Sequence, residues 1–188
     1  MAGLASALPL LLTLLISAAS ATAITISATH SGAALIRAAC THAGPHLLHL
    51  CISSLSAEPP SAAADLRMLA IIAVRVASNN TSQTAAYLDE LQDADGEVEP
   101  TLYQCVGDCA ELYVDAAEQL DTATAAIDNG EDEDTLTWLE AAIADVASCE
   151  MGCGAAATAE IRERNDGAKK LLKIALSLAK LLRARKGR

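Results

Sequence analysis

The positions of the cysteines constrain the fold of this chain more than any other feature of its sequence. The chain holds two CxxxC pairs, Cys105 with Cys109 and Cys149 with Cys153. Cys105 and Cys153 have their midpoint at residue 129, and so do Cys109 and Cys149. An Asn-Gly dipeptide lies there and gives a strong turn signal. If the chain turns there as two antiparallel helices, the inner cysteines of the two pairs face each other, and so do the outer ones.

This geometry favours bridges across the hairpin. Residues four apart in one helix hold their Cβ atoms roughly 5–6 Å apart, whereas a disulfide needs about 3.5–4.5 Å. A bridge inside a CxxxC is therefore disfavoured, and the pairs Cys109–Cys149 and Cys105–Cys153 are predicted.

Composition predicts an all-α chain. Of the 188 residues, 52% are hydrophobic, yet there is no Phe and only one Trp. Ala and Leu dominate, and these are the best helix formers, while the β-branched and aromatic residues typical of sheets are scarce. The length suits one domain.

Hydrophobic periodicity places the helices. Residues 24–55 form a short-helix region closed by Cys40 and Cys51, Pro59-Pro60 interrupts the chain, and residues 65–91 form a long helix. An acidic linker with Gly96 and Pro100 follows. Before the Asn-Gly turn, apolar residues at alternating spacings of four and three define one seam: Cys109, Tyr113, Ala116, Leu120, Ala123 and Ile127. Two similar apolar patterns follow the turn: Leu136, Leu139, Ile143 and Val146, and then Leu171, Leu172, Ala175, Leu178 and Leu182.

These elements predict an all-α, disulfide-stapled four-helix bundle, up-down-up-down, with an N-terminal helical hairpin extension. The hairpin region is assigned to residues 24–60 and the bundle to residues 61–188, within one domain over residues 24–188.

Residues 1–23 read as a secretory signal peptide. An apolar run at residues 8–19 is too short to span a bilayer with ease, and Ala21-Thr22-Ala23 offers an A-x-A cleavage site. The segment lacks the Lys or Arg that usually precedes such a run. Secretion implies an oxidising compartment, so the six cysteines are expected to form three disulfides.

Charge is divided unevenly along the chain. Residues 24–159 carry 3 basic and 21 acidic residues, and residues 160–188 carry 10 basic and 3 acidic ones. The acidic body argues against a nucleic-acid partner and favours a basic one. The basic tail is expected to complement the dipole of a C-terminal helix, with an anionic polymer or a membrane surface as the alternative contact.

No catalytic or metal-binding motif stands out. His42, His46 and His49 lie inside the predicted Cys40–Cys51 loop, which holds no carboxylate, so we expect no metal site there. Phosphate loops, nucleophile elbows and metalloprotease helices are missing from the sequence. The acidic run at residues 131–134 lacks calcium-loop spacing. Trp138 and Tyr113 are expected in the core.

Two further features bear on compartment and class. Asn79 and Asn80 begin overlapping N-glycosylation sequons, which fits secretion. Twin CxxxC hairpins also occur in small chaperones of the mitochondrial intermembrane space, and four cysteines could hold zinc. Those chaperones lack a signal peptide and have shorter hairpins than the 39 residues between Cys109 and Cys149.

Four ordered blocks resemble the plant invertase and pectin methylesterase inhibitors. They are the segment from Cys40 to Cys51 with Pro45 inside it; Ser53-Ser54-Leu55 with Pro59, Asp65-Leu66 and Leu69-Ala70; Cys109-Ala110-Glu111-Leu112-Tyr113 with Asp115-Ala116; and Asp134-Thr135-Leu136-Thr137-Trp138-Leu139 with Ala141-Ala142 and Cys149-Glu150.

The resemblance implies bridges Cys40–Cys51 and Cys109–Cys149 in a four-helix bundle with an N-terminal hairpin. It also implies a cofactor-free inhibitor, not an enzyme, that binds pectin methylesterase or an acid invertase in the cell wall or vacuole. Cys105 and Cys153 are additional to the family's usual four cysteines.

The choice of target depends on the loop between the two hairpin helices. Invertase inhibitors of the family often carry Pro-Lys-Phe there, whereas this loop is acidic from Asp128 to Asp134 and holds none of the three. An acidic loop suits a carboxylate-lined active site poorly. Many pectin methylesterases are basic, so the sequence favours pectin methylesterase as target, with invertase as the alternative.

Overall fold

The computed structural model describes residues 32–93 and 99–187, and every regular element within them is helical. The predicted signal peptide at residues 1–23 and Gly96 lie outside the described residues. The six helices are α1 over residues 32–40, α2 Leu48–Ala57, α3 Leu66–Asp93, α4 Pro100–Asn129, α5 Asp132–Cys153 and α6 Ala159–Lys186. Short 3-10 segments lie at Thr41–Ala43, Pro59–Ala63 and Gly154–Ala156.

Helices α3 to α6 form the predicted up-down-up-down bundle. Each packs on the next along the chain, and α3 also packs on α6, so the four close into a ring around one core. The seam predicted for α4 is confirmed, because all six of its residues are buried.

Helix starts follow local chemistry. The carboxylate of Asp65 accepts the backbone N–H of Met68 at the start of α3. The carboxylate of Glu99 accepts the backbone N–H groups of Thr101 and Leu102, just after Pro100 at the start of α4. A hydrogen bond from the hydroxyl of Thr101, together with these backbone bonds, lowers the pKa of Glu99. The hydroxyl of Thr158 accepts the N–H of Ile161 at the start of α6.

One aromatic residue departs from expectation. Tyr113 is fully buried, whereas Trp138 is 39% exposed. Trp138 stands one residue before the core position Leu139, and each helical residue turns about 100° around the axis. Its side chain therefore lies at the edge of the bundle, and the prediction that Trp138 belongs to the core is wrong.

The N-terminal hairpin, residues 32–57, folds back onto the bundle. Its 3-10 turn contacts α6 and α2 contacts α3, while Ile36, Ala39 and Leu55 join the same core as the bundle helices. At the start of α1 the approach is very close, because a Cβ added to Gly32 would lie 2.1 Å from the carbonyl oxygen of Ala62. Only glycine fits this contact without movement of the backbone.

We expect Gly32→Ala to lower the free energy of unfolding by about 1–3 kcal/mol, since the added methyl group meets a backbone atom that cannot swing aside. Urea denaturation measures this change. Gly167→Ala on α6 is the matched control, because an added Cβ there meets nothing within 4 Å. Helix propensity should leave that variant unchanged or up to about 1 kcal/mol more stable. Equal effects of the two substitutions would contradict the close contact.

Candidate functional site

The loop joining α4 to α5 is a tight, well-bonded turn. Gly130 takes the left-handed conformation with φ 78°, and its N–H donates to the carbonyl of Ile127 at 3.1 Å. The N–H of Glu131 donates to the carbonyl of Ala126 at 2.9 Å, which completes a Schellman motif. The turn predicted at Asn129 and Gly130 is confirmed. Only Gly130 and Glu131 join the two helices, so the rest of the predicted loop lies in the last turn of α4 and the first turn of α5. We keep the name hairpin loop for residues 128–134.

Cations from two other helices hold this loop. A guanidinium nitrogen of Arg67 on α3 donates to the carbonyls of Ile127 and Asp128, each at 3.2 Å. The ammonium group of Lys186 on α6 donates to the carbonyl of Gly130 at 3.3 Å and to the carboxylate of Asp132 at 2.7 Å. The loop is therefore pinned at its backbone as well as by side chains.

The basic tail pairs mainly with α5. Four cations of α6 meet four carboxylates of α5 along the length of the two helices: Lys169 with Glu150 at 2.6 Å, Lys180 with Glu140 at 3.4 Å, Arg183 with Glu133 at 2.9 Å, and Lys186 with Asp132 at 2.7 Å. The helix-dipole role expected for the basic tail stays a prediction. The structure adds that Arg183 and Lys186 pair with two of the five carboxylates in residues 128–134, Glu133 and Asp132.

A row of exposed carboxylates lies along α4. This helix holds no Lys or Arg, and five carboxylates spaced three or four residues apart are exposed along it: Asp108, Glu111, Asp115, Glu118 and Asp121. We call this set the acidic face. Within it, Asp108 accepts a hydrogen bond from the amide of Gln104, and Asp121 accepts one from the hydroxyl of Ser78. Among the described residues, no salt bridge pairs a cation with any of the five carboxylates of the acidic face.

The structure has three disulfides, pairing Cys40 with Cys51, Cys105 with Cys153 and Cys109 with Cys149. These are the pairs that the sequence predicts. The two bridges between α4 and α5 are stacked, with 3.2 Å between the sulfur atoms of Cys109 and Cys153, and both are buried. They close the end of the hairpin opposite the Asn-Gly turn.

A buried polar pair lies beside the inner bridge. The hydroxyl of Tyr113 donates to the amide oxygen of Asn165 on α6 at 2.6 Å, and both residues are almost fully buried. Burial, with a smaller contribution from the charge of Glu150, raises the pKa of Tyr113 well above its usual value. Asn165 was not predicted from the sequence, because charged residues flank it. The one available signal is its spacing from Leu172, which places both residues on the same, inward face of α6.

The candidate metal ligands do not assemble into an available site. His42, His46 and His49 are exposed and do not come together as a group of three. Among the described residues, the one group of three possible ligands within reach of one another is Cys105, Cys109 and Cys153, and disulfides consume all three sulfur atoms. No helix of the described part is long and apolar enough to cross a membrane.

The two sequon asparagines differ in their surroundings. Asn79 is exposed on α3, whereas Asn80 is partly buried and its amide oxygen is enclosed without a hydrogen bond from the described residues. The structure therefore gives a glycan room on Asn79.

We expect glycosylation at Asn79 in material secreted from plant cells. Glycopeptide mass spectrometry measures it, and Asn79→Gln and Asn80→Gln form a matched pair, since each leaves the other sequon intact. The first should remove the glycan and the second should keep it. An unmodified peptide, or a glycan lost only in Asn80→Gln, would contradict this assignment.

The fold and this geometry define a class: an all-α, disulfide-stapled bundle that displays its charges on helical surfaces. Residues 34–178 match the model of the family described as plant invertase/pectin methylesterase inhibitor. The chain belongs to that family, whose members are inhibitor proteins and not enzymes.

Individual relatives point in two directions. A Platanus orientalis protein named "Putative invertase inhibitor" is 28% identical over 136 residues, covering 71% of this chain and 79% of the relative. A Platanus acerifolia protein of the same name is also 28% identical, with 75% of its length covered.

Among solved structures, a mutant form of a pectin methylesterase inhibitor from Arabidopsis superposes with a TM-score of 0.62 at 21% identity. That match covers 71% of this chain and 88% of the other. Another solved structure, of a pectin methylesterase inhibitor from Arabidopsis thaliana, gives a TM-score of 0.58 at 20% identity, over 72% of this chain and 88% of the other. These likenesses support the bundle fold.

Proposed function

We propose that this protein is a secreted inhibitor of pectin methylesterase that acts in the plant cell wall by forming a non-covalent complex. The observation that carries the proposal is the acidic face of α4, five exposed carboxylates on a helix without a single cation. Such a surface steers a basic enzyme into encounter and repels an acidic one.

The hairpin loop supports the same choice. It lacks the Pro-Lys-Phe sequence typical of invertase inhibitors, and Arg67 and Lys186 bond its backbone and hold it against the bundle. A loop held in this way would have to break these contacts before it entered an active site. Ion pairs already offset part of the charge of the hairpin loop. The contacts that hold its backbone are therefore a stronger argument against its entry into an invertase active site than electrostatic repulsion is.

Inhibition of an acid invertase in the cell wall or vacuole is the second candidate. The specific observation in its favour is the pair of Platanus relatives, which carry the name of invertase inhibitors. The ion pairs that Asp132 and Glu133 make with α6 also reduce the repulsion expected between the hairpin loop and a carboxylate-lined invertase active site.

Titration of the purified protein against both enzymes at mildly acidic pH separates the two candidates. We expect stoichiometric loss of pectin methylesterase activity with invertase unaffected. Asp115→Asn with Glu118→Gln should weaken inhibition by reducing the acidic face, and Glu163→Gln with Asp166→Asn on α6 is the control of equal charge change. Invertase blocked with pectin methylesterase untouched would overturn the choice of target.

Association with a basic pectin methylesterase should slow as salt rises. Exposed charges are screened over about 8 Å at physiological ionic strength, so long-range attraction to the acidic face fades first. Stopped-flow measurements of the association rate from low to high salt test this expectation. A rate constant independent of salt would remove electrostatic steering from the mechanism.

A further inference from the structure

A groove of positive character runs between the N-terminal hairpin and the last helix. The 3-10 turn Thr41–Ala43 forms one wall and α6 forms the other and the floor. Its lining combines basic, hydroxyl and apolar groups: His42, Lys173, Ser177, Lys180, Leu176 and Leu181. We call this feature the cationic groove. It lies on the hairpin side of α6 and is separate from the acidic face.

Neither wall of the groove contributes a carboxylate of its own. The hairpin, residues 32–57, contains no Asp or Glu, and α6 contains none after Asp166. Lys173 has no carboxylate within 4 Å among the described residues, unlike four other cations of α6, which pair with α5. Lys180 is shared with Glu140 at 3.4 Å, and about half of each side chain is exposed. The groove is positive although the protein is strongly acidic.

The geometry points to a ligand that carries several carboxylates along an extended chain. Lys173 and Lys180 are seven residues apart on one helix, about 10 Å along its axis, and Ser177 supplies a hydroxyl between them. Leu176 and Leu181 provide an apolar floor against which the faces of sugar rings can pack. This combination suits a saccharide with acid groups better than a small inorganic anion.

We propose that the cationic groove binds de-esterified pectin, a polymer of uronic acid, through Lys173, Ser177 and Lys180. The identity of the ligand rests on the proposed function, because removal of methyl esters by pectin methylesterase leaves carboxylates on this polymer. Each exposed ion pair is weak. Once one carboxylate of the polymer is bound, however, the next carboxylate along the same polymer is present near the groove at a raised effective concentration. Binding would retain the inhibitor where the enzyme has acted.

Affinity electrophoresis of the full secreted protein in native gels measures this binding without any enzyme. The probes are polygalacturonate, fully methyl-esterified pectin of similar length, and dextran sulfate. We expect retardation by polygalacturonate alone.

Lys173→Gln with Lys180→Gln should weaken that binding about fivefold or more. Arg75→Gln with Lys170→Gln, which removes equal charge from exposed positions outside the groove, should not. Thermal melts monitored by circular dichroism confirm that both variants fold.

Several results would overturn the proposal: equal mobility in polygalacturonate and esterified pectin, unchanged binding by the Lys173/Lys180 variant, or equal retardation by dextran sulfate, which would show a general anion surface. Binding that appears only after residues 24–31 are deleted would identify the chain's own N-terminal segment as the occupant, and would also overturn it. Failure to inhibit pectin methylesterase with polymer binding intact would count against the proposed function alone.

Discussion

Replacing Cys105, Cys109, Cys149 and Cys153 together with serine is expected to lower the free energy of unfolding by about 4 kcal/mol. The two bridges close nested loops with sequence separations of 40 and 48 residues, and closing a loop of this length restricts the unfolded chain by about that amount. Denaturant unfolding of this variant and of the two paired variants measures the cost of each bridge.

Loss of one bridge should cost less than loss of both, because the other still closes the hairpin. We expect Cys105→Ser with Cys153→Ser to cost less than about 2 kcal/mol and to leave inhibition largely intact. Cys109→Ser with Cys149→Ser should be more damaging, since the inner bridge adjoins the buried Tyr113–Asn165 pair and the new hydroxyl groups would disturb it. Non-reducing peptide mapping tests the pairing itself. A free thiol at Cys105, or Cys105 linked to Cys40 or Cys51, would refute the helical register.

Tyr113→Phe is expected to lower the free energy of unfolding by about 1–3 kcal/mol. It removes the donor to the buried oxygen of Asn165 and leaves that polar group without a partner. Combining Tyr113→Phe with Asn165→Leu should recover most of the loss, because both polar groups are then gone from the core. Chemical denaturation of the two single variants and the double variant gives the coupling energy. Tyr103→Phe, at a residue 49% exposed, is the matched control and should have little effect.

The same tyrosine predicts how stability depends on alkaline pH. Its pKa is raised in the folded protein, so its contribution is fully present below the ordinary value of 10.0 and is lost as pH rises above it. The Phe variant should show a smaller fall in stability above that pH. An identical alkaline profile for the two proteins would mean that Tyr113 ionises equally well when folded.

Local features of the sequence were enough for much of the fold. The Asn-Gly turn and the seam through Tyr113 and Leu120 each depend on residues within a few helical turns. Spacings of three and four identify the buried face of one helix, and the shared midpoint of the cysteines relates two helices because only a tight turn separates them. These predictions needed no knowledge of any other contact.

The sequence by itself determined the helices, the turn and the stapled hairpin, whereas the tertiary structure alone decided which distant groups meet. The pairing of Arg183 with Glu133 and the bond from Tyr113 to Asn165 join residues 50 and 52 positions apart. Such contacts depend on how far each helix rotates and slides against its neighbour. Core packing sets that rotation for the whole bundle at once, and no local spacing encodes it. For the same reason the hairpin turn forms a groove with Lys173.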